Sequence, residues 1–293
     1  MELTLGPVYH NWKREDILGF YNEAAEWPVD RVYIGEVVCA KRKGLSIRDI
    51  EGIGQRLMKR GKSVVLSTLA LVSNEEELKL VRDVAGMPFS IEANDMSVFN
   101  MIDQKEIIAG PHINSYDLPS VEFLKGSGAK RVVFPVELSD SAIGHILSKT
   151  NIEGEVIAYG RLPVAYSWRC YTLRRLGLGR AGCRNNCNTH PEGIPVETMD
   201  REPLFTINGP QILSGPVYSL MEYVDDMREA GVDALRISPQ YKGTVEVIKI
   251  FRDRIDERLS TEKAVRMLRE VADLTLCNGW YKGKAGLDYL KPV

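Results

Sequence analysis

No apolar stretch of this sequence approaches the roughly 18 residues of a membrane span. The opening segment, MELTLGPVYHNWKRED, has too short an apolar run for a secretory leader, and its basic residues follow that run instead of preceding it. A soluble, cytoplasmic protein is expected. Histidine is scarce: His10, His112, His145 and His190 are scattered, and no H-E-x-x-H occurs, which removes a zinc peptidase of that type. There is no Walker loop, and the glycine patterns GPVY, GIGQR and GLGRAG lack the dinucleotide fingerprint at a strand-to-helix turn, so nothing asks for a nucleotide. A charge excess is missing too: 38 Lys and Arg against 40 Asp and Glu leave a formal net charge of −2. No global basic field therefore draws the chain to nucleic acid or anionic lipid. Cysteine is sparse and odd in number, five in 293 residues. A chain of this size has no need of a disulfide framework, so the thiols are expected to be reduced, whether free, catalytic or metal-bound. No internal repeat, low-complexity block or long linker is present.

What is present is alternation. Short runs rich in Val and Ile, at 3–8, 31–35, 63–68, 89–93, 107–110, 131–136, 155–160 and 234–238, read as strands buried on both faces, which suits a parallel sheet. The stretches between them have helical period. Ile17, Phe20, Tyr21 and Ala24 share one face of 13–26, which Pro28 stops. Ile47, Ile50, Ile53 and Leu57 do the same for 46–60, closed by Gly61. Val247, Ile248, Phe251 and Ile255 line 244–258. Further helices are expected at 222–230 and 261–274, the second with Ala264, Val265, Leu268 and Val271 facing inward. Eight strands with seven or eight intervening helices predict an α/β fold, a (β/α)8 TIM-like barrel spanning 1–293 as one domain, with an open doubly wound sheet as the rival. The pattern breaks over 161–232, read as a loop-rich insertion after the seventh strand with a β-like segment at 203–220.

That insertion carries Cys170, Cys183 and Cys187 in the spacing C-x12-C-x3-C, while Cys39 lies just past the second strand. In a barrel, Cys39 and Cys170 both belong to loops at the C-terminal rim, where such folds place their chemistry. Three readings stay open. A [4Fe–4S] cluster takes four Cys and tolerates irregular spacing. Structural zinc favours two short C-x2-4-C pairs, of which only one is present. The third reading is a set of unrelated thiols. Between Arg161 and Arg184 there are six arginines and no acidic residue. Such a stretch can offset the charge of a thiolate-bound cluster or grip an anionic substrate. A solvated basic loop is the plain alternative.

Other polar residues recur just after strands: Glu36, Glu92, Asn94, Asn114 and Glu137. At a barrel mouth Glu92, Asn114 and Glu137 are candidates for a substrate pocket, together with Arg161 and Arg169, although loop capping also explains residues such as Asn94 and Asp95. Cys277 reads as a small core thiol beside the Asn278-Gly279 turn, and His190 and His112 as ordinary loop or rim residues.

The segments GEVVCAKR, IEANDMSVFNM, GPHINSYDLPS, FPVELS, AYGRLPVAYSWRC, INGPQILSGPVYSL, ALRISPQ and CNGW occur in an order that resembles one family nearly end to end. It is the family historically labelled collagenase-like peptidases. The resemblance implies a barrel-like fold and a [4Fe–4S] cluster on Cys39, Cys170, Cys183 and Cys187. Within the family the chain is similar to the branch that supports O2-independent hydroxylation in ubiquinone biosynthesis. Members of that branch work as a heterodimer with a UbiU-like partner, beside a small lipid-binding accessory protein. Prephenate is the oxygen donor the resemblance implies. Another branch hydroxylates bases of transfer or ribosomal RNA and has larger members with an added C-terminal domain, so the shorter chain here is expected to belong with the first. The peptidase label finds no protease site in this sequence.

Overall fold

Eight parallel strands close on themselves. They are β1 (Glu2–Leu5), β2 (Arg31–Ile34), β3 (Ser63–Ser67), β4 (Ser90–Ala93), β5 (Ile107–Ala109), β6 (Ala129–Val133), β7 (Glu153–Gly160) and, far downstream, β13 (Ala234–Ile237). Each pairs with the next, and β13 bridges β7 and β1, with Leu235 opposite both Val156 and Leu3. This computed structural model describes residues 1–42, 44–102, 105–272 and 275–291. The barrel was the expected fold, and the closing β13–β7 pairing excludes the open sheet.

The connecting helices are α1 (Arg14–Ala24), α2 (Ile47–Lys59), α3 (Glu75–Ala85), α4 (Leu118–Gly126) and α5 (Asp140–Lys149), with α8 (Thr244–Ile255) and α9 (Thr261–Val271) after the last strand. Their starts are written locally. Ser46 and Asp49 form a reciprocal capping box, and Asn74, Asp117, Ser139 and Ser260 each accept a bond from the first turn of their helices. Gly61 ends α2 at φ +76, a left-handed conformation that favours glycine. Two expectations need correction. Among the described residues the β4–β5 connection holds a 3-10 turn, Met96–Asn100, whose start Asp95 caps, and no α-helix. Ile47 is 43% exposed, because as the first residue of α2 it stands clear of the barrel wall. The end of the 261–274 helix falls partly outside the described residues.

Apolar residues such as Leu3, Leu5, Ile34 and Leu66 join the main hydrophobic core, while alternating polar residues meet in a buried network. Glu155 accepts from Thr4 Oγ1 (2.7 Å), Tyr33 OH (2.7 Å), Arg131 (3.0 Å) and Arg236 Nε (2.7 Å). Arg236 also reaches Glu92 at 2.6 Å and lies 3.9 Å from the centre of the Tyr33 ring. Burial opposes ionisation of Glu155, but Arg236 and Arg131 outweigh it and hold the carboxyl at about 2.

The chain between β7 and β13 leaves the barrel at its C-terminal rim. It forms β8 (Pro163–Tyr166), a short helix α6 (Tyr171–Arg175), β9 (Ile194–Glu197), β10 (Pro203–Asn208) and β11 (Gln211–Ser214). These four strands make a separate antiparallel sheet in the order β8-β11-β10-β9. Next, β12 (Val217–Ser219) pairs with the end of β7 and with β14 (Leu276–Cys277), and α7 (Val224–Glu229) leads back to β13.

Candidate functional site: four thiols around one cavity

The thiols come from four short pieces of backbone. Cys39 follows β2 in a turn where Glu36 Oε1 accepts from the amides of Val38 (2.8 Å) and Cys39 (3.0 Å). Cys170 is the N-cap of α6. Cys183 ends the 3-10 turn Arg180–Gly182, and Cys187 lies in a second such turn, Asn186–Thr189. All four line one cavity of about 620 Å³ at the barrel rim, with Arg42, Arg169, Arg174 and Arg180 in the same wall. All are free thiols, Cys187 buried and the others half-buried.

Burial favours the neutral thiol at Cys39 and Cys170, and nearby amides oppose it only in part. Burial raises the Cys39 thiol, and the amide of Lys41 and the Arg42 guanidinium work against that. Burial also raises Cys170, opposed by the amides of Leu173 and Thr172, while Cys187 and Cys183 raise it further. Asn11 Nδ2 donates to Cys187 Sγ at 3.0 Å and to Asn185 Oδ1 at 2.8 Å. Among the described residues, no three His, Cys, Asp or Glu side chains stand close enough together to hold a metal ion.

A polar hub behind the cavity escaped the sequence reading. Asn208, the last residue of β10, accepts from the Asn11 amide (2.9 Å) and from Arg42 (2.8 Å). It donates to the carbonyls of Cys187 (3.1 Å) and His190 (3.0 Å). Arg42 also donates to the carbonyls of Tyr9 (2.7 Å) and Asn208 (3.0 Å) and pairs with Glu36 at 3.3 Å. The loop after β1, the loop after β2 and the cysteine loop are thereby fastened together. Gly209 turns the β10–β11 hairpin at φ +71, and a Cβ there would stand 3.3 Å from Arg42 and 3.6 Å from Cys187 Sγ. Its amide donates to Thr172 Oγ1 at 3.0 Å and its carbonyl accepts from Tyr171 at 3.0 Å, which ties the hairpin to the helix that Cys170 begins.

The other candidates scatter. Of Glu92, Asn114, Glu137, Arg161 and Arg169, only Arg169 lines the thiol cavity. Glu92 is fully buried in the barrel interior, committed to Arg236 and to Ser67 Oγ at 2.6 Å. Its carboxylate is enclosed and lines neither the thiol cavity nor the neighbouring rim cavity. Asn114 lines a neighbouring rim cavity of about 570 Å³ with Asn94 and His112. Glu137 is exposed and accepts from Tyr116 OH at 3.3 Å. Arg161 donates to the carbonyls of Ser214 (2.8 Å) and Gly215. Cys277 packs in the main core, where burial pushes its thiol up to about 12, and it does not line the cavity.

Residues 20–289 match the description Peptidase family U32. The chain belongs to that family. A curated relative, tRNA hydroxylation protein P1 of Bacillus subtilis (strain 168), is 26% identical over 255 residues, 80% of this chain and 60% of the relative. The chain thus spans about 60% of the length of the relative it matches. Solved structures with related architecture include the U32 peptidase Mk0906 (10% identity, TM-score 0.47, 82% of this chain and 93% of that one). Another is thiamine phosphate pyrophosphorylase from Pyrococcus furiosus (12% identity, TM-score 0.41, 92% and 96%). Among the described residues no helix is long and apolar enough to cross a membrane.

Proposed function

We propose that Cys39, Cys170, Cys183 and Cys187 hold a [4Fe–4S] cluster and that the chain is a subunit of an O2-independent hydroxylase. The pathway proposed is ubiquinone biosynthesis, in the manner of UbiV, with a UbiU-like protein as heterodimer partner, a small lipid-binding accessory protein, and prephenate as oxygen donor. The observation that carries the reading is that four thiols, from loops as far apart in sequence as 39 and 187, line one cavity of about 620 Å³. Amide donors and arginines at the thiols match what a thiolate-bound inorganic core requires.

When bound, the cluster supplies one-electron chemistry at a potential that local charge and hydrogen bonds to sulfur set. The chain's own residues divide the remaining work. The four cysteines ligate. Asn11 donates to the Cys187 sulfur and so stabilises its thiolate form. Arg42, held by Glu36, Tyr9 and Asn208, keeps a fixed positive charge behind the site. Arg169, Arg174 and Arg180 place positive charge on the cavity wall, Arg180 in a 3.5 Å pair with Glu77, and an anionic co-substrate would meet it there.

A hydroxylase acting on transfer RNA is the second reading, favoured by the name of the Bacillus subtilis relative. It shares the cluster but requires phosphate contacts, so binding of RNA by the isolated chain would weaken steeply with salt. The net charge of −2 supports the first reading. The test is anaerobic purification with the UbiU-like partner, followed by RNA titration at two salt concentrations. Co-purification with no salt-sensitive RNA binding is expected; RNA binding without the partner would select the second reading. Cys183→Ala should lose the visible absorption near roughly 400 nm expected of such clusters. One zinc per chain and no iron would overturn both hydroxylase readings.

A further inference from the structure

Residues 174–181, RRLGLGRA, begin with the last two residues of α6 and are exposed throughout. At Gly177, held at φ +67, and at Gly179, an added Cβ would meet nothing within 4 Å, so the turn stands clear of the body of the molecule. Leu176 and Leu178 flank Gly177 and are 52% and 41% exposed. Trp168, 47% exposed, joins Leu178 on the wall of the thiol cavity. Cations surround these apolar groups. Lys41, Arg169, Arg174, Arg175, Arg180 and Arg184 are exposed, and among the described residues only Arg180 of the six pairs with a carboxylate, Glu77 at 3.5 Å. No acidic residue occurs between Glu155 and Glu192. The chain as a whole carries a slight negative charge, so the patch is a local basic and apolar surface. Contiguous exposed apolar groups rimmed by charge mark an interaction site.

Three kinds of anionic partner answer a basic patch, and its apolar members choose among them. Leucine offers RNA neither a stacking face nor a hydrogen bond, and single strands are gripped by aromatic rings. Leucine is also under-represented among the residues that anchor protein interfaces. A bilayer surface takes the whole set. Leucine and tryptophan enter the boundary between headgroups and acyl chains, while arginines stay at the phosphates. Each cation near an anionic leaflet adds about a factor of five to binding.

We propose that the 174–181 turn, with Trp168, docks the protein on an anionic phospholipid bilayer, Leu176 and Leu178 entering the headgroup boundary and the arginines lying at lipid phosphates. Because Trp168, Arg169, Arg174, Leu178 and Arg180 belong both to this patch and to the wall of the thiol cavity, the mouth of that cavity faces the membrane in the docked state. The inference goes beyond the hydroxylase reading and needs neither a cluster nor a partner subunit.

The test is co-sedimentation of the anaerobically purified full chain with vesicles of phosphatidylcholine containing phosphatidylglycerol, and with vesicles of phosphatidylcholine alone, at low and high salt. Saturable binding to the anionic vesicles, at least about tenfold tighter than to the neutral ones and weakened by salt, is expected. Arg175→Gln combined with Arg184→Gln removes two cations that do not line the thiol cavity and should weaken binding about 25-fold. Leu176→Ser, also outside the cavity wall, should weaken it about tenfold. Arg266→Gln combined with Leu287→Ser, exposed residues outside the turn, should leave binding unchanged. Of the four tryptophans only Trp168 is exposed, so brominated lipid should quench the wild-type fluorescence and fail to quench Trp168→Phe. No preference for anionic vesicles, or turn variants that bind like wild type, overturns the proposal. Tighter binding to polyuridylate or to polyglutamate than to the vesicles overturns it as well, in favour of RNA or of an acidic protein.

Discussion

Replacing Asn208 with alanine should damage the molecule more than its single buried amide suggests. The side chain makes four hydrogen bonds, two accepted from Asn11 and Arg42 and two donated to Cys187 and His190. A buried hydrogen bond contributes about 1 kcal/mol net, and an orphaned buried group costs about 1–3 kcal/mol. Arg42 keeps its bonds to Tyr9 and to the Asn208 carbonyl, so its share falls at the low end. The sum is about 3–5 kcal/mol of unfolding free energy. Asn208→Asp keeps both accepted bonds, loses both donated ones, and sets a carboxylate against two carbonyls; it should cost about 2–3 kcal/mol. Urea unfolding of anaerobic protein, read at constant m-value, measures both. The Cys187 loop should loosen as well, so metal content should fall more than stability alone dictates. An alanine variant within 1 kcal/mol of wild type and with full metal would refute the view of Asn208 as the clamp behind the thiols.

Gly209→Ala should cost about 1–2 kcal/mol, since φ +71 disfavours any Cβ and this one would press on Arg42; guanidinium-induced unfolding gives the value. Glu155 contributes pH dependence. Its folded pKa, about 2, lies below its ordinary 4.5, so its stabilisation is complete above about pH 4.5 and is lost as pH falls toward 2. The loss is about 3 kcal/mol, and Glu155→Gln should remove most of that slope between pH 5 and pH 2.5 in thermal melts. Glu155→Leu alone should destabilise by about 3–5 kcal/mol because Arg236 is left buried with half its partners, whereas Glu155→Leu combined with Arg236→Met should recover part of the loss.

The barrel was legible because its strands are short runs of Val and Ile set between capped, periodic helices, which are local signals. The antiparallel sheet was harder: β8 and β9 are four residues each, both contain proline, and they pair only through β10 and β11. The thiols were legible because cysteine carries its chemistry in its identity. Asn11, Arg42 and Asn208 were not, since lone polar residues in two loops and at one strand end carry no periodicity and acquire meaning only when these segments meet. The partner of Glu92 was hidden for a related reason. A carboxylate at the end of a strand reads as a rim residue unless its partner is known, and Arg236 lies 144 residues further along the chain.

The most direct measurement is iron and acid-labile sulfide per chain in anaerobically purified wild type and in five single Cys→Ala variants. Roughly four of each per wild-type chain are expected. Alanine at 39, 170, 183 or 187 should lower both together, while Cys277→Ala should leave them unchanged. A Cys39→Ala variant that keeps its full iron, or a wild type that holds none, would contradict the account.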